Sequence, residues 1–127
     1  MRYLDYEALI ALHVHLMRDV MREEYYGVLN EGLLRSALAR PQQAAAYEQA
    51  GGLRQAAYLF QGILMNHGFA QGNKRTAFLA LGWFVSMNEL GEITASQAEK
   101  IAMCYAAENQ KWSVDQIEAW LEPHVAT

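Results

Sequence analysis

His67-Gly68-Phe69-Ala70-Gln71-Gly72-Asn73-Lys74-Arg75-Thr76 contains two glycines and no periodicity, and it opens onto Ala77, Leu81, Phe84 and Val85, which recur at helical spacing. The stretch reads as a loop running into the N-terminus of a strongly apolar, central helix. The first amides of such a helix have no intrahelical acceptor and carry the positive end of its macrodipole. Gly72 lets a ligand approach the backbone closely. Lys74 and Arg75 put two cations where the dipole disfavours them; an anion between them removes the conflict, and a phosphate is the natural candidate. At the other end of the loop, His67 can take a proton from a hydroxyl at neutral pH. Phe69 is expected to anchor the loop in the core. Asn73 offers a donor and an acceptor for a phosphate oxygen or a substrate backbone. On residue types alone, a solvated surface turn with an incidental histidine fits about as well.

Outward from this stretch the punctuation is helical. Asp5 is placed to cap a first helix, with Leu4 and Leu9 spaced as a hydrophobic staple. Ala8, Leu12 and Leu16, joined by Leu9 and Val20, predict its apolar stripe. Asn30 predicts the cap of a short helix, Glu31 to Ala39, that Pro41 stops. The alanine-rich run Gln42 to Ala50 predicts a further helix ended by Gly51-Gly52. Leu53, Ala57, Phe60 and Leu64 carry the next to about Asn66. The helix after the loop is expected to end near Leu90-Gly91. Thr94 with Gln97, and Ser113 with Gln116, have capping-box spacing for two more, the last stopping before Pro123. No segment alternates in the manner of a strand. The expected architecture is all-α, one domain over residues 1–127, a bundle of about six helices.

The bulk properties agree. Of 127 residues, 53% are hydrophobic and 19% charged, which suits one compact core. Net charge is −4, so no global basic field draws the chain to nucleic acid, and no helix shows the basic stripe that phosphate-backbone contact requires. No run approaches the ~18 apolar residues of a membrane span. Charged residues and histidines interrupt Met1 to Leu16 as an apolar targeting segment. The one cysteine, Cys104, cannot form an intrachain disulfide and reads as a buried thiol; a reducing, cytoplasmic setting follows. His13 and His15 sit ~200° apart on a helix and share no metal-binding face, so both read as surface or partly buried histidines. His124 reads as solvated. Met17, Met21, Met65, Met87 and Met103 are spaced as core filler.

The loop resembles the motif of the Fic/Doc superfamily: His, any, Phe, any, Asp or Glu, Gly or Ala, Asn, Gly or Lys, Arg. Eight of the nine positions match. Lys74 stands where the Doc (death-on-curing) toxin branch has lysine and AMP-transferring Fic proteins usually have glycine. A second arginine of those Fic proteins would fall at Phe78. Gly32 to Pro41 and Ile117 to Leu121 also resemble segments of Doc-like toxins.

The resemblance implies a transferase that moves a phosphate, or a nucleotide monophosphate, from ATP to a protein hydroxyl, with elongation factor Tu as the Doc target. His67 matches the residue that deprotonates the acceptor. Gly72, Asn73, Lys74 and Arg75 match positions that bind phosphates. Tyr25 and Tyr26 fall where the family has a loop over the active site. Gln71 replaces the carboxylate that coordinates Mg²⁺; its amide oxygen can ligate the ion but adds no charge. The implied partners are a nucleoside triphosphate, a protein substrate and a separate antitoxin chain, because the family's inhibitory Ser/Thr-x-x-x-Glu-Gly/Asn spacing is absent. Gln71 leaves a second reading open, a catalytically weakened module that binds nucleotide or a partner. Retention of His67 favours the enzyme.

Overall fold

The computed structural model describes residues 1–127. Its elements are α1 (Tyr6–Val14), continued as a π-helical stretch (His15–Val20), α2 (Glu31–Glu48), α3 (Gly52–Asn66), α4 (Asn73–Met87), β1 (Glu92–Ile93), α5 (Gln97–Asn109), α6 (Val114–His124) and β2 (Val125–Ala126). The all-α expectation holds. β1 and β2 are a single two-residue antiparallel pair, Glu92 with Ala126 and Ile93 with Val125, too short to show as alternation. No helix is long and apolar enough to cross a membrane.

α3 and α4 form the centre. Ala56, Ala57, Phe60, Ile63 and Leu64 of α3 and Ala77, Ala80, Leu81 and Phe84 of α4 are fully buried in one hydrophobic cluster. Leu9, Leu34, Met103, Ile117 and Leu121 bring the other helices onto it. The capping residues Asp5 and Asn30 each accept the expected helix N–H, from Ala8 and Leu33. Ser113 and Gln116 form a complete capping box. Leu4 and Leu9 are both buried, as the staple requires.

Four boundaries differ, each because a distant contact outweighs a local preference. α2 runs through Pro41 as one helix: Leu34, Ala37, Pro41 and Ala44 form one continuous buried stripe, and that packing offsets the missing Pro41 N–H. α6 likewise includes Pro123 in its last turn. Ser96 and Glu99, not Thr94 and Gln97, make the capping box of α5. Thr94 instead bonds the His124 carbonyl through its N–H and its hydroxyl, at 2.8 and 3.2 Å, joining the start of α5 to the end of α6. α4 stops at Met87 because the Asn88 side chain turns back to the Phe84 carbonyl and holds the Arg2 backbone by both its N–H and its carbonyl.

The face of α1 also differs. Leu9, His13 and Met17 are its buried positions, while Val20 is exposed. A π-helical turn accommodates one extra residue and moves the apolar face round the axis, so the simple 3.6-residue stripe fails beyond His15. His124 is half-buried, stacked on Trp120 at 4.0 Å, rather than solvated. His15 is at the surface beside Asp19, as expected.

α2 and α3 approach closely at Gly62, where a Cβ would lie 2.9 Å from Ala37 Cβ and 3.0 Å from its Cα. Gly62→Val should therefore overpack the interface and destabilise the fold by about 1–3 kcal/mol. Denaturant titration checks this; an unchanged midpoint would show that the two helices separate without loss.

Candidate active site

α3 ends at His67, which takes the left-handed conformation (φ 50°) and turns the chain out of the helix. The imidazole is exposed. Two residues on, the chain dives inward: Phe69 is 1% exposed and its ring stacks on His13 at 3.7 Å, 9° from parallel. The core anchor expected at Phe69 is in place. The chain then turns again at Gly72 (φ 78°), the N-cap of α4, against which Met17 Sδ packs so closely that a side chain there has no room. Gly72 supplies no side-chain cap, and the first backbone bond of α4 is Thr76 N–H to the Gly72 carbonyl at 2.9 Å. The amides of Asn73, Lys74 and Arg75 are left without an intrahelical acceptor.

These residues surround an open pocket of ≈ 400 Å³ lined by His67, Gln71, Gly72, Asn73, Lys74 and Arg75, together with Met21 and Glu108. The structure thus brings together all six positions singled out in the motif. It uses two of them differently from the sequence expectation. The Asn73 side chain faces its own loop: Oδ1 accepts from the Phe69 N–H and Nδ2 donates to the Phe69 carbonyl, both at 3.0 Å. The side chain is therefore committed to the loop, and only the backbone amide of Asn73 is open to a ligand. Lys74 Nζ is 2.9 Å from Glu108 Oε1 and 5.0 Å from the centre of the Tyr105 ring. A carboxylate of the protein already occupies the place an anion was expected to take. Arg75 is exposed and forms no ion pair.

Three residues in or beneath the pocket escaped the sequence reading. Met21 lines the pocket instead of filling the core. Glu108, on α5, lies 34 residues after Lys74, and only its position on the helix face towards α4 could have suggested it. His13 is fully buried; its place four residues after Leu9 and four before Met17 was the available clue. Burial pushes its pKa down to about 4. Cys104 is buried as expected, and burial pushes its thiol up to about 11.

The segment before α2 leans on the loop. Gly27 to Asn30 pairs with Gly68 to Ala70 through Leu29 N–H and Asn30 N–H to the Gly68 carbonyl and Ala70 N–H to the Gly27 carbonyl. Gln71 Nε2 donates to the Tyr25 carbonyl. Only its amide oxygen remains for a metal. Glu108, the one carboxylate of the pocket, is already held by Lys74, and no three His, Cys, Asp or Glu side chains cluster anywhere in the chain. This donor set fits Mg²⁺ poorly, since the ion prefers charged oxygen ligands.

A family model described as Fic/DOC family matches residues 3–85. The chain belongs to the Fic/DOC family. Members of this family are typically protein-modifying transferases. The match covers α1 to α3, the whole loop and α4 as far as Val85, but not α5, which carries Glu108. No curated protein is similar enough to add a function to the family assignment.

Two outcomes follow from this geometry. Removing the competing carboxylate without changing its shape, Glu108→Gln, should free Lys74 and tighten inorganic phosphate binding by roughly 5-fold, about 1 kcal/mol. Calorimetry checks it, and unchanged or weaker binding would show that the ion pair builds the site instead of competing for it. The second concerns acid. His13 is neutral when folded, with its pKa lowered from 6.5 to about 4 by burial. The unfolded chain therefore binds the extra proton first, and stability falls as pH drops from about 6.5 towards 4, by up to about 3 kcal/mol. Unfolding curves across that window should lose this slope in His13→Asn; an identical slope would place the acid sensitivity elsewhere.

Proposed function

We propose that this Fic/DOC chain transfers a phosphoryl or nucleotidyl group from a nucleoside triphosphate to a protein hydroxyl, as a Doc-like toxin held in check by a separate antitoxin chain in the cytoplasm. The observation that carries the reading is the meeting, in one pocket, of an exposed imidazole and an uncapped helix N-terminus. A base and a phosphate cradle side by side are what an attack on phosphorus needs.

In this mechanism His67 takes the proton of the acceptor hydroxyl as its oxygen bonds to phosphorus. The bond from phosphorus to the departing nucleoside diphosphate, or to diphosphate in nucleotidyl transfer, breaks with its electron pair. The Gly72–Arg75 amides and the Arg75 guanidinium stabilise charge on the phosphate oxygens. Arg75 is suited to it because its planar fork holds two oxygens at once. Lys74 joins them once the incoming phosphate, which carries more charge than one carboxylate, draws it from Glu108.

Lys74 and Phe78 favour the Doc manner of transfer. The position that carries a second arginine in AMP-transferring relatives is here a phenylalanine packed edge-on against Phe60 and Trp120. The chain therefore has no cation one turn further along α4. Elongation factor Tu is the target this reading selects. Two other observations favour the second reading, a binding module with weakened turnover: Lys74 is already neutralised and Gln71 is tied to Tyr25.

Mass spectrometry of a cell lysate incubated with the protein and ATP separates the possibilities. The expected result is a target protein heavier by one phosphate, and a gain of one AMP would assign nucleotidyl transfer. His67→Ala should reduce transfer by about 10²–10⁴-fold while leaving the fold intact; a wild-type rate would sink the role of His67. Gln71→Asp should raise both Mg²⁺ affinity and toxicity on induction. Binding of ATP without transfer in either form would establish the second reading.

A further inference from the structure

His13 lies outside the motif, yet its buried ring touches the motif loop, the first turn of α4 and the segment that pairs with the loop. Nδ1 is 2.9 Å from Thr76 Oγ1, in the first turn of α4. Nε2 is 3.3 Å from the Gly27 N–H, in the segment that pairs with the loop. One face stacks on Phe69, and Tyr26 meets the ring edge-on at 6.1 Å. Cε1 lies close to the Gly72 backbone, 3.7 Å from where a Cβ would stand. Thr76 is itself fully buried, so neither partner has water to fall back on.

These contacts fix the ring's protonation. A backbone N–H can only donate, so Nε2 must carry the lone pair, and the single proton of the neutral ring sits on Nδ1, donated to Thr76 Oγ1. An imidazolium would turn its Nε2–H against the Gly27 N–H, and the opposite tautomer would do the same. Leucine or phenylalanine could fill this space but could not join the two segments. Burial without water makes each of the two bonds costly to lose.

We infer that His13, as its Nδ1–H tautomer, is the positioning residue that holds the Gly27 segment, Phe69 and the first turn of α4 in the one arrangement that aims His67 across the phosphate cradle. The role in transfer rests on the functional reading above; the locking of the segments does not. His13 touches no substrate and exchanges no proton during turnover. Losing the Gly27 bond while the Thr76 bond persists misplaces His67 by a fraction of an ångström and lowers the rate of the chemical step, while the phosphate amides of α4 stay where they were.

The test separates the two bonds. Asparagine can still donate to Thr76 but cannot reach Gly27, whereas glutamine can place its oxygen near Nε2 and accept from Gly27. In ¹⁵N-histidine-labelled wild-type protein at pH 7, long-range ¹H–¹⁵N correlation should show His13 protonated at Nδ1 alone. An Nε2–H tautomer or an imidazolium overturns the proposal without any variant having to fold. In His13→Asn the Gly27 amide should exchange roughly 10-fold faster or more, which His13→Gln should largely reverse. kcat should fall at least ~10-fold in His13→Asn with little change in the KM for ATP, and should recover in part in His13→Gln. Equal Gly27 exchange in the two variants, with kcat following thermal stability alone, would reduce His13 to packing and overturn the proposal. If the tautomer and exchange results hold while even wild-type protein transfers nothing, the positioning stands and the functional reading alone fails.

Discussion

The site depends on Phe69. A loop with two glycines and a solvent-exposed histidine has no fixed course of its own, and this one acquires it by sinking a single aromatic ring among His13 and the core. Burial of such a side chain is worth about 1.5–3 kcal/mol. It would also bury the Phe69 backbone, whose two polar groups must then be satisfied. Asn73 does this with one amide, accepting from the N–H and donating to the carbonyl. With Phe69 in and Asn73 closing over it, His67 is left outside on one flank and Gly72 is forced into its left-handed turn on the other.

That turn decides the electrostatics. A serine or aspartate at the N-cap would have satisfied a helix amide and dulled the positive end of α4. Glycine, required by the turn and by the pressure of Met17, leaves the amides open. Lys74 and Arg75 then add charge to an end that already repels it, and the fold answers in two ways. Lys74 is drawn to Glu108 on α5, and Arg75 is left to solvent. The pocket is therefore electropositive yet partly filled by a carboxylate of its own, and under the proposed function a phosphate has to compete with Glu108 for Lys74.

What the sequence made legible was local. Asp5, Asn30, Ser113 with Gln116, the helix limits at Asn66 and Asn73, and the loop between them all follow from a few neighbouring residues and held in the structure. What it hid depends on contacts between distant segments. Pro41 marks a stop until α3 supplies a surface that rewards continuing. Thr94 and Ser96 offer competing capping boxes, and only the His124 carbonyl decides between them. Asn73 reads as a ligand donor because its residue type suits one, but nothing in the string of letters shows that its amide is needed by Phe69. Glu108 and His13 left only faint traces in the sequence, helix-face spacing in each case, because each meets the motif loop or α4 from another helix.

In the proposed function the open amides at the start of α4 hold phosphate beside His67. The most direct measurement is an amide ¹H–¹⁵N titration with ATP. The resonances of Gly72, Asn73, Lys74 and Arg75 should shift together and saturate along one binding curve, with His67 ring signals following. Saturable shifts confined to other parts of the chain, with these four amides unmoved, would show that phosphate does not bind at the start of α4.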